Sequence, residues 1–91
     1  MSKHLITLRS WLTIYGEGEA ERVLVDTRTG SMFSFNATAS ALLEELRGGS
    51  TAAQLVEMLS GNFEVVEDEA WRDVRTFLGK LNAMGLIDET A

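Results

Sequence analysis

The stretch Val23–Phe35 constrains the fold of this chain most, because it has the pattern of two strands joined by a tight turn. Residues 22–26 and 31–35 are rich in β-branched and aromatic side chains, and residues 27–30 lie between them. Gly30 can take the positive φ that the end of such a loop requires. The pattern therefore predicts a β-hairpin.

The second strand of this hairpin alternates between two kinds of side chain. Phe33 and Phe35 fall on one face, and Met32 and Ser34 fall on the other. Alternate aromatic residues on a half-buried strand usually pack inward. We therefore expect the two phenylalanines to contact the core.

Further strands are predicted before the hairpin. Residues 5–8 and 11–15 are rich in β-branched and aromatic side chains, which favour one or two short strands. Residues 16–19 read Gly-Glu-Gly-Glu and predict a turn. Together with the hairpin, these segments predict an N-terminal three-stranded antiparallel β-sheet.

Three amphipathic patterns follow the hairpin, each with apolar residues three and four positions apart. The first begins at Asn36, a good N-cap residue. The second begins at Thr51, which can form a capping box with Gln54. The third begins in the acidic run 67–69, and residues 86–87 follow its end as a short tail on the core. This order predicts one α+β domain in which a three-helix bundle follows the sheet.

Composition limits the classes of protein to which the chain can belong. The 91 residues of the chain suffice for one domain, residues 1–91. The chain has no cysteine, so it can form neither a disulfide nor a thiolate metal site. The chain has eight Lys and Arg residues and fourteen Asp and Glu residues, and the resulting net charge of −6 repels the phosphate backbone of nucleic acids. No apolar run reaches the ~18 residues of a membrane span. We expect a cytoplasmic protein that binds neither nucleic acid nor membrane.

Catalytic groups are sparse in the sequence. His4 is the single histidine, so neither a Ser-His-Asp arrangement nor a histidine metal site is indicated. The acidic clusters 44–45, 67–69 and 88–89 consist of sequence neighbours, which is typical of solvated charged faces. The Gly-Gly pair at 48–49 lacks the lysine of a phosphate-binding loop. The sequence predicts no enzymatic activity, no metal and no cofactor.

Peptide binding is the function that the hairpin favours. Its second strand is expected at the edge of the sheet, beside a helix. An extended peptide can add itself to such an edge as another strand, and pockets along the helix can then select its side chains. The pattern therefore indicates a binding module before it indicates an enzyme.

A family resemblance is carried by three segments, Val23–Asn36, Leu46–Thr51 and Leu81–Ile87. Together they resemble the PqqD-like family, the small proteins and fused domains known as RiPP recognition elements. That family binds the leader segments of ribosomally made peptides. It often has a proline near the start of the third helix, where this chain has Val66–Glu69, and we expect Asp68 to cap the helix instead.

The resemblance implies a fold like a winged helix-turn-helix, with the leader antiparallel to the third strand in a cleft against the third helix. The docking edge that it implies consists of Ser31, Met32, Phe33, Ser34 and Phe35. On the third helix, we expect one flank of the apolar stripe to supply the pockets, with residues Trp71, Arg75, Leu78 and Asn82. The opposite flank stays open as the alternative, with Phe77, Lys80 and Met84.

The resemblance also implies partners. The expected role is that of a non-catalytic peptide chaperone, which presents the leader of a precursor peptide to a radical SAM protein, a cyclase or a leader protease. Family members serve pyrroloquinoline quinone, lasso peptide and other pathways, and the sequence does not separate these. A winged-helix DNA-binding regulator and a scaffold subunit are the alternatives, although the second helix, residues 52–60, has no Lys or Arg to read DNA. A homodimer through the edge strand also stays open.

Overall fold

The computed structural model describes residues 4–16 and 21–90. Within these residues the chain forms five strands and three helices. In chain order they are β1 (Leu5–Leu8), β2 (Leu12–Tyr15), β3 (Arg22–Asp26), β4 (Met32–Phe35), α1 (Ala37–Arg47), α2 (Ala52–Asn62), α3 (Glu67–Ala83) and β5 (Ile87–Thr90). The expected α+β class is confirmed. The turn predicted at residues 16–19 lies outside the described residues, apart from Gly16.

Strands β2, β3 and β4 form the expected three-stranded antiparallel sheet, with β3 in the centre. Its register pairs Tyr15 with Val23, and Val23 with Ser34. Phe33 and Phe35 are half-buried and pack against the core, whereas Ser34 is exposed. The predicted alternation along β4 is therefore confirmed. Within the described residues β4 pairs with β3 alone, so the other edge of β4 is open.

Strand β5 corrects the prediction for the end of the chain. Where the sequence predicts only a short tail, β5 pairs with β1 in a second antiparallel sheet, and Leu8 lies opposite Ile87. Ile6 and Ile87 are buried, so this sheet covers one end of the core. The backbone of Ile6 also exchanges hydrogen bonds of 2.7 and 3.0 Å with Ser50, which tie β1 to the α1–α2 connection.

All three helix starts agree with the sequence, and two of the three expected caps form. The side chain of Asn36 accepts a hydrogen bond of 2.9 Å from a backbone N–H in the first turn of α1. Thr51 and Gln54 form the complete capping box of α2. The expected cap on α3 is wrong. The N-cap position is Val66, whose side chain has no polar atom to accept a hydrogen bond, and Asp68 lies within the first turn.

The core lies between the helices and the sheet. Helix α3 directs four buried side chains inward, namely Ala70, Val74, Phe77 and Leu81. From the sheet, Leu24 of β3 is completely buried. Because α3 and β4 both border this core without pairing with each other, a groove is left between them.

Candidate functional site

A groove of about 530 Å³ lies between β4 and α3. We call it the β4–α3 groove. One wall consists of Phe33, Ser34 and Phe35 of β4, together with Asn36 and Ala39 at the start of α1. The helix wall consists of Arg72, Asp73, Thr76, Phe77, Lys80, Leu81 and Met84. The helix wall extends over 12 residue steps, or ~18 Å at the rise of an α-helix.

The floor of the β4–α3 groove is apolar. Phe77 is buried and Leu81 is completely buried. The rings of Phe35 and Phe77 meet edge to face, with their centroids 6.3 Å apart and their planes at 71°. Such a floor can hold an apolar side chain of a ligand, because contact with it removes apolar surface from water.

Strand β4 presents backbone groups at its open edge. The carbonyl of Ser31 accepts a hydrogen bond of 2.9 Å from the N–H of Asp26, so this carbonyl faces β3. Successive residues of a strand direct their N–H and C=O groups to opposite sides. Those of Met32 and Ser34 therefore face the open edge, where an added strand would pair with them.

One end of β4 is held by a buried hydroxyl group. Ser40 of α1, which is 3% exposed, accepts a hydrogen bond of 2.8 Å from the Arg22 N–H. Its hydroxyl donates a bond of 3.1 Å to the Phe35 carbonyl. The Arg22 side chain also pairs with Glu44 of α1 at 3.2 Å. These contacts join the ends of β3 and β4 to the first helix.

The other end of β4 is held by the hairpin turn. The Asp26 carboxylate accepts a hydrogen bond of 2.9 Å from the backbone N–H of Arg28. The backbone carbonyl of Asp26 accepts a hydrogen bond of 2.7 Å from the Gly30 N–H. The Arg28 guanidinium lies 3.6 Å from this carboxylate and 3.7 Å from the centre of the Trp11 ring. Burial raises the pKa of Asp26, but hydrogen bonds from Arg28, its charge and the Thr29 N–H outweigh burial and lower that pKa.

Two rows of α3 side chains form the helix wall. We call the exposed one the outer row, and its members are Arg72, Thr76, Lys80 and Met84. The second row leads down to the floor and consists of Asp73, Phe77 and Leu81. The groove thus has an open backbone edge, an apolar floor and a wall with two cations.

The structure brings one flank of α3 to the strand, and it is not the flank preferred from the sequence. The members of the preferred flank lie outside the groove lining, namely Trp71, Arg75, Leu78 and Asn82. The two apolar members are half-buried and pack against the core, and the two polar members are exposed. The alternative flank lines the groove, with Phe77, Lys80 and Met84.

The expected strand residues divide between the groove and the turn. Phe33, Ser34 and Phe35 line the groove, whereas Ser31 and Met32 are exposed nearer the turn and do not. The lining also contains residues that the sequence does not predict for the site, namely Asn36, Ala39, Leu81, Arg72, Asp73 and Thr76. The sequence offers no signal for the last three, because they lie outside the apolar stripe of α3.

The described residues contain no group of three or more His, Cys, Asp or Glu side chains placed to hold a metal ion. In the same part of the chain, no helix is long and apolar enough to cross a membrane.

The contacts that the β4–α3 groove offers are those of a binding site, since an extended polypeptide could use the edge, the floor and the helix wall together.

Two solved structures are similar to this chain. One is the structure of TbiB1 in complex with the TbiA(beta) leader peptide. The TbiB1 chain is 24% identical to this chain, and the similarity covers 93% of this chain and 98% of that chain with a TM-score of 0.82. The other is lasso peptide synthetase B1 complexed with the leader peptide, which is 25% identical, with a TM-score of 0.77 over 91% of this chain and 96% of that chain. Both similarities cover more than nine-tenths of this chain, so the fold is shared as a whole.

A comparison with curated proteins found no match. The family model described as Coenzyme PQQ synthesis protein D (PqqD) matches residues 21–87. The matched segment contains β3, β4, α1, α2 and α3, and therefore both walls of the β4–α3 groove. It spans well over half of the 91 residues. The chain therefore belongs to the PqqD family.

Proposed function

We propose that this protein is a RiPP recognition element, which binds the leader segment of a ribosomally synthesised precursor peptide by adding it as a strand to β4. The β4–α3 groove carries this proposal, because the open backbone edge at Met32 and Ser34 lies beside an apolar floor and a helix wall. Membership of the PqqD family supports the proposal. The fold similarity to two proteins solved with leader peptides supports it as well.

The two walls of the groove have different roles in this proposal. Backbone hydrogen bonds to the edge of β4 accept any extended sequence, so they supply affinity without choosing the peptide. The side chains of the groove then select the peptide sequence. Every second residue of the added strand points into the groove, where it meets the floor or α3. Apolar leader side chains would contact Phe33, Phe35 and Phe77.

We further propose that the protein acts without catalysis, as a peptide chaperone in the cytoplasm, where ribosomal precursors are made. His4 is the single histidine of the chain, and there is no cysteine. Asp73 is the one carboxylate among the described lining residues, whereas acid–base chemistry on a peptide would use paired groups. The chemistry then belongs to a partner that receives the bound leader, such as a radical SAM protein, a cyclase or a leader protease.

The regulator alternative lacks the charge that reading DNA requires. In the regulator alternative α2 is the helix that would read DNA, but α2 has no Lys or Arg and carries Glu57. A DNA reader places several cations on this helix to contact phosphates and base edges. The groove between β4 and α3 also has no role in that alternative.

A binding titration tests the proposed function. The probe is a fluorescein-labelled leader segment of a precursor peptide encoded beside the gene, and anisotropy is followed at two salt concentrations. We expect saturable binding of the leader and markedly weaker binding of a scrambled peptide of the same composition. No leader binding by folded protein, or equal binding of the scrambled peptide, would overturn the proposal. Saturable binding of a labelled DNA duplex instead would support the regulator.

A further inference from the structure

The outer row of α3 carries two cations, Arg72 and Lys80. Within the described residues neither Arg72 nor Lys80 takes part in a salt bridge. This is unexpected in a chain with a net charge of −6, where acidic groups outnumber basic ones. Asp73 is the one carboxylate that the described lining contributes, so the helix wall has a local excess of positive charge. Charge complementarity favours an acidic ligand at this wall.

The spacing of the outer row matches that of an extended peptide. Its members follow each other every four residues, or ~6 Å along the helix axis. Side chains on one face of an extended peptide recur every two residues, or ~6.6 to 6.8 Å. Arg72 and Lys80 are separated by ~12 Å along the axis, which is close to the ~13 Å covered by four peptide residues. Alternate side chains of a peptide along α3 would therefore meet successive members of the row.

We propose that the preferred leader carries two acidic residues four positions apart with an apolar residue midway between them, in the pattern acidic-x-apolar-x-acidic. The acidic side chains contact Arg72 and Lys80. The apolar side chain passes Thr76 and packs on the floor formed by Phe77 and Phe35. This inference rests on the proposed function, and it makes Arg72 and Lys80 the residues that determine specificity in the groove.

Charge reversal on α3 tests the two cations. Arg72→Glu and Lys80→Glu change exposed side chains, so we expect both variants to fold, as circular dichroism would verify. Arg75→Glu is the matched control, because Arg75 lies on the same helix, is exposed and is outside the groove lining. Since attraction is replaced by repulsion, each groove variant should weaken binding of the labelled leader roughly 3- to 10-fold, whereas the control should stay near wild type.

A charge swap in the peptide tests the pairing itself. A leader in which both acidic residues are replaced by lysine should bind wild type more weakly than the natural leader does. The same peptide should bind the Arg72→Glu, Lys80→Glu double variant more tightly than it binds wild type. A merely structural role of the two cations would not produce this crossover, which a double-mutant cycle isolates.

The outcomes separate this inference from the proposed function. If wild type binds the leader and both groove variants bind it as the Arg75→Glu control does, the inference fails and the proposed function stands. A leader that binds in the groove without two acidic residues four positions apart would also overturn the inference. If wild type binds no leader, the proposed function fails, and the inference fails with it.

Discussion

Ser34→Pro tests whether an extended peptide pairs with β4. The alternation of backbone groups directs the Ser34 N–H to the open edge, so proline removes a donor from that edge and leaves the bonds to β3 intact. The Ser34 side chain is exposed, so the proline ring displaces no buried group. Phe33, the preceding residue, already has the extended backbone that a following proline requires.

The expected loss of affinity follows from the groups at the edge. An added strand can pair with the N–H and C=O groups of Met32 and Ser34. Each such hydrogen bond contributes about 0.5 to 1.5 kcal/mol, and a carbonyl left unpaired on the peptide costs about 1 to 3 kcal/mol. We therefore expect Ser34→Pro to weaken leader binding by about 1 to 3 kcal/mol, or roughly 5- to 150-fold in Kd.

The assay compares Kd values for the labelled leader by anisotropy, with far-ultraviolet circular dichroism to verify the fold. Ser34→Ala is the matched control, because it removes the hydroxyl group and keeps the N–H, and it should bind as wild type does. A folded Ser34→Pro protein with the wild-type Kd would refute strand addition at β4. An equal loss in Ser34→Ala would show that the hydroxyl group, and not the backbone, contacts the peptide.

The remaining predictions concern the residues that support the groove. Phe35→Ala removes the edge-to-face ring contact with Phe77. Because Phe35 is half-buried, we expect the free energy of unfolding in urea to fall by about 2 to 3 kcal/mol. An unchanged urea midpoint of unfolding would mean that the ring does not support the floor. Thr51→Ala breaks the capping box and should cost about 1 kcal/mol, lowering Tm by about 4 to 8 °C, and a wild-type Tm would contradict this. The lowered pKa of Asp26 means that its carboxylate stabilises the fold above about pH 4 and that this contribution is lost as the pH falls through the lowered pKa. The stability difference between wild type and Asp26→Asn should therefore shrink from pH 7 to pH 3 in urea titrations, and an equal difference at both pH values would disprove the assignment.

Features that depend on neighbouring residues could be predicted from the sequence. The caps at Asn36 and Thr51 are made between residues three positions apart, so local chemistry decides them. The inward direction of Phe33 and Phe35 follows from the period of a strand. The same locality explains why the hairpin and the helix order were correct, since turn residues and apolar spacing are visible in short windows.

The pairing of β1 with β5 could not be predicted in this way. Leu8 and Ile87 are opposite each other in the register but lie near the two ends of the chain. Nothing in a four-residue segment specifies a partner so far away, and residues 87–90 read Ile-Asp-Glu-Thr, with one apolar residue. The pairing is stabilised by burial of Ile6 and Ile87 against the helices, which is a property of the assembled core.

The direction in which α3 faces β4 is also set by the assembled core. Trp71 and Arg72 are adjacent in sequence but point about 100° apart on a helix, so the rotation of α3 about its own axis decides which flank faces β4. In the folded protein Trp71 and Leu78 pack against the core, which turns Arg72 and Lys80 toward the groove. Both flanks mix apolar and polar side chains, so composition alone could not distinguish them.

The supports at the two ends of β4 suit an edge that receives a peptide. The turn at Asp26 holds one end, and the Ser40 hydroxyl, between Arg22 and Phe35, holds the other. With both ends tied to the sheet and α1, β4 requires little ordering when a partner strand arrives, so the entropic cost of binding falls mainly on the peptide. The same edge is only four residues long and lies beside a cationic wall, features that limit pairing with other copies of this protein. The fold thus keeps an edge open to the extended peptide that we propose as its ligand, and the short length of this edge discourages pairing between copies.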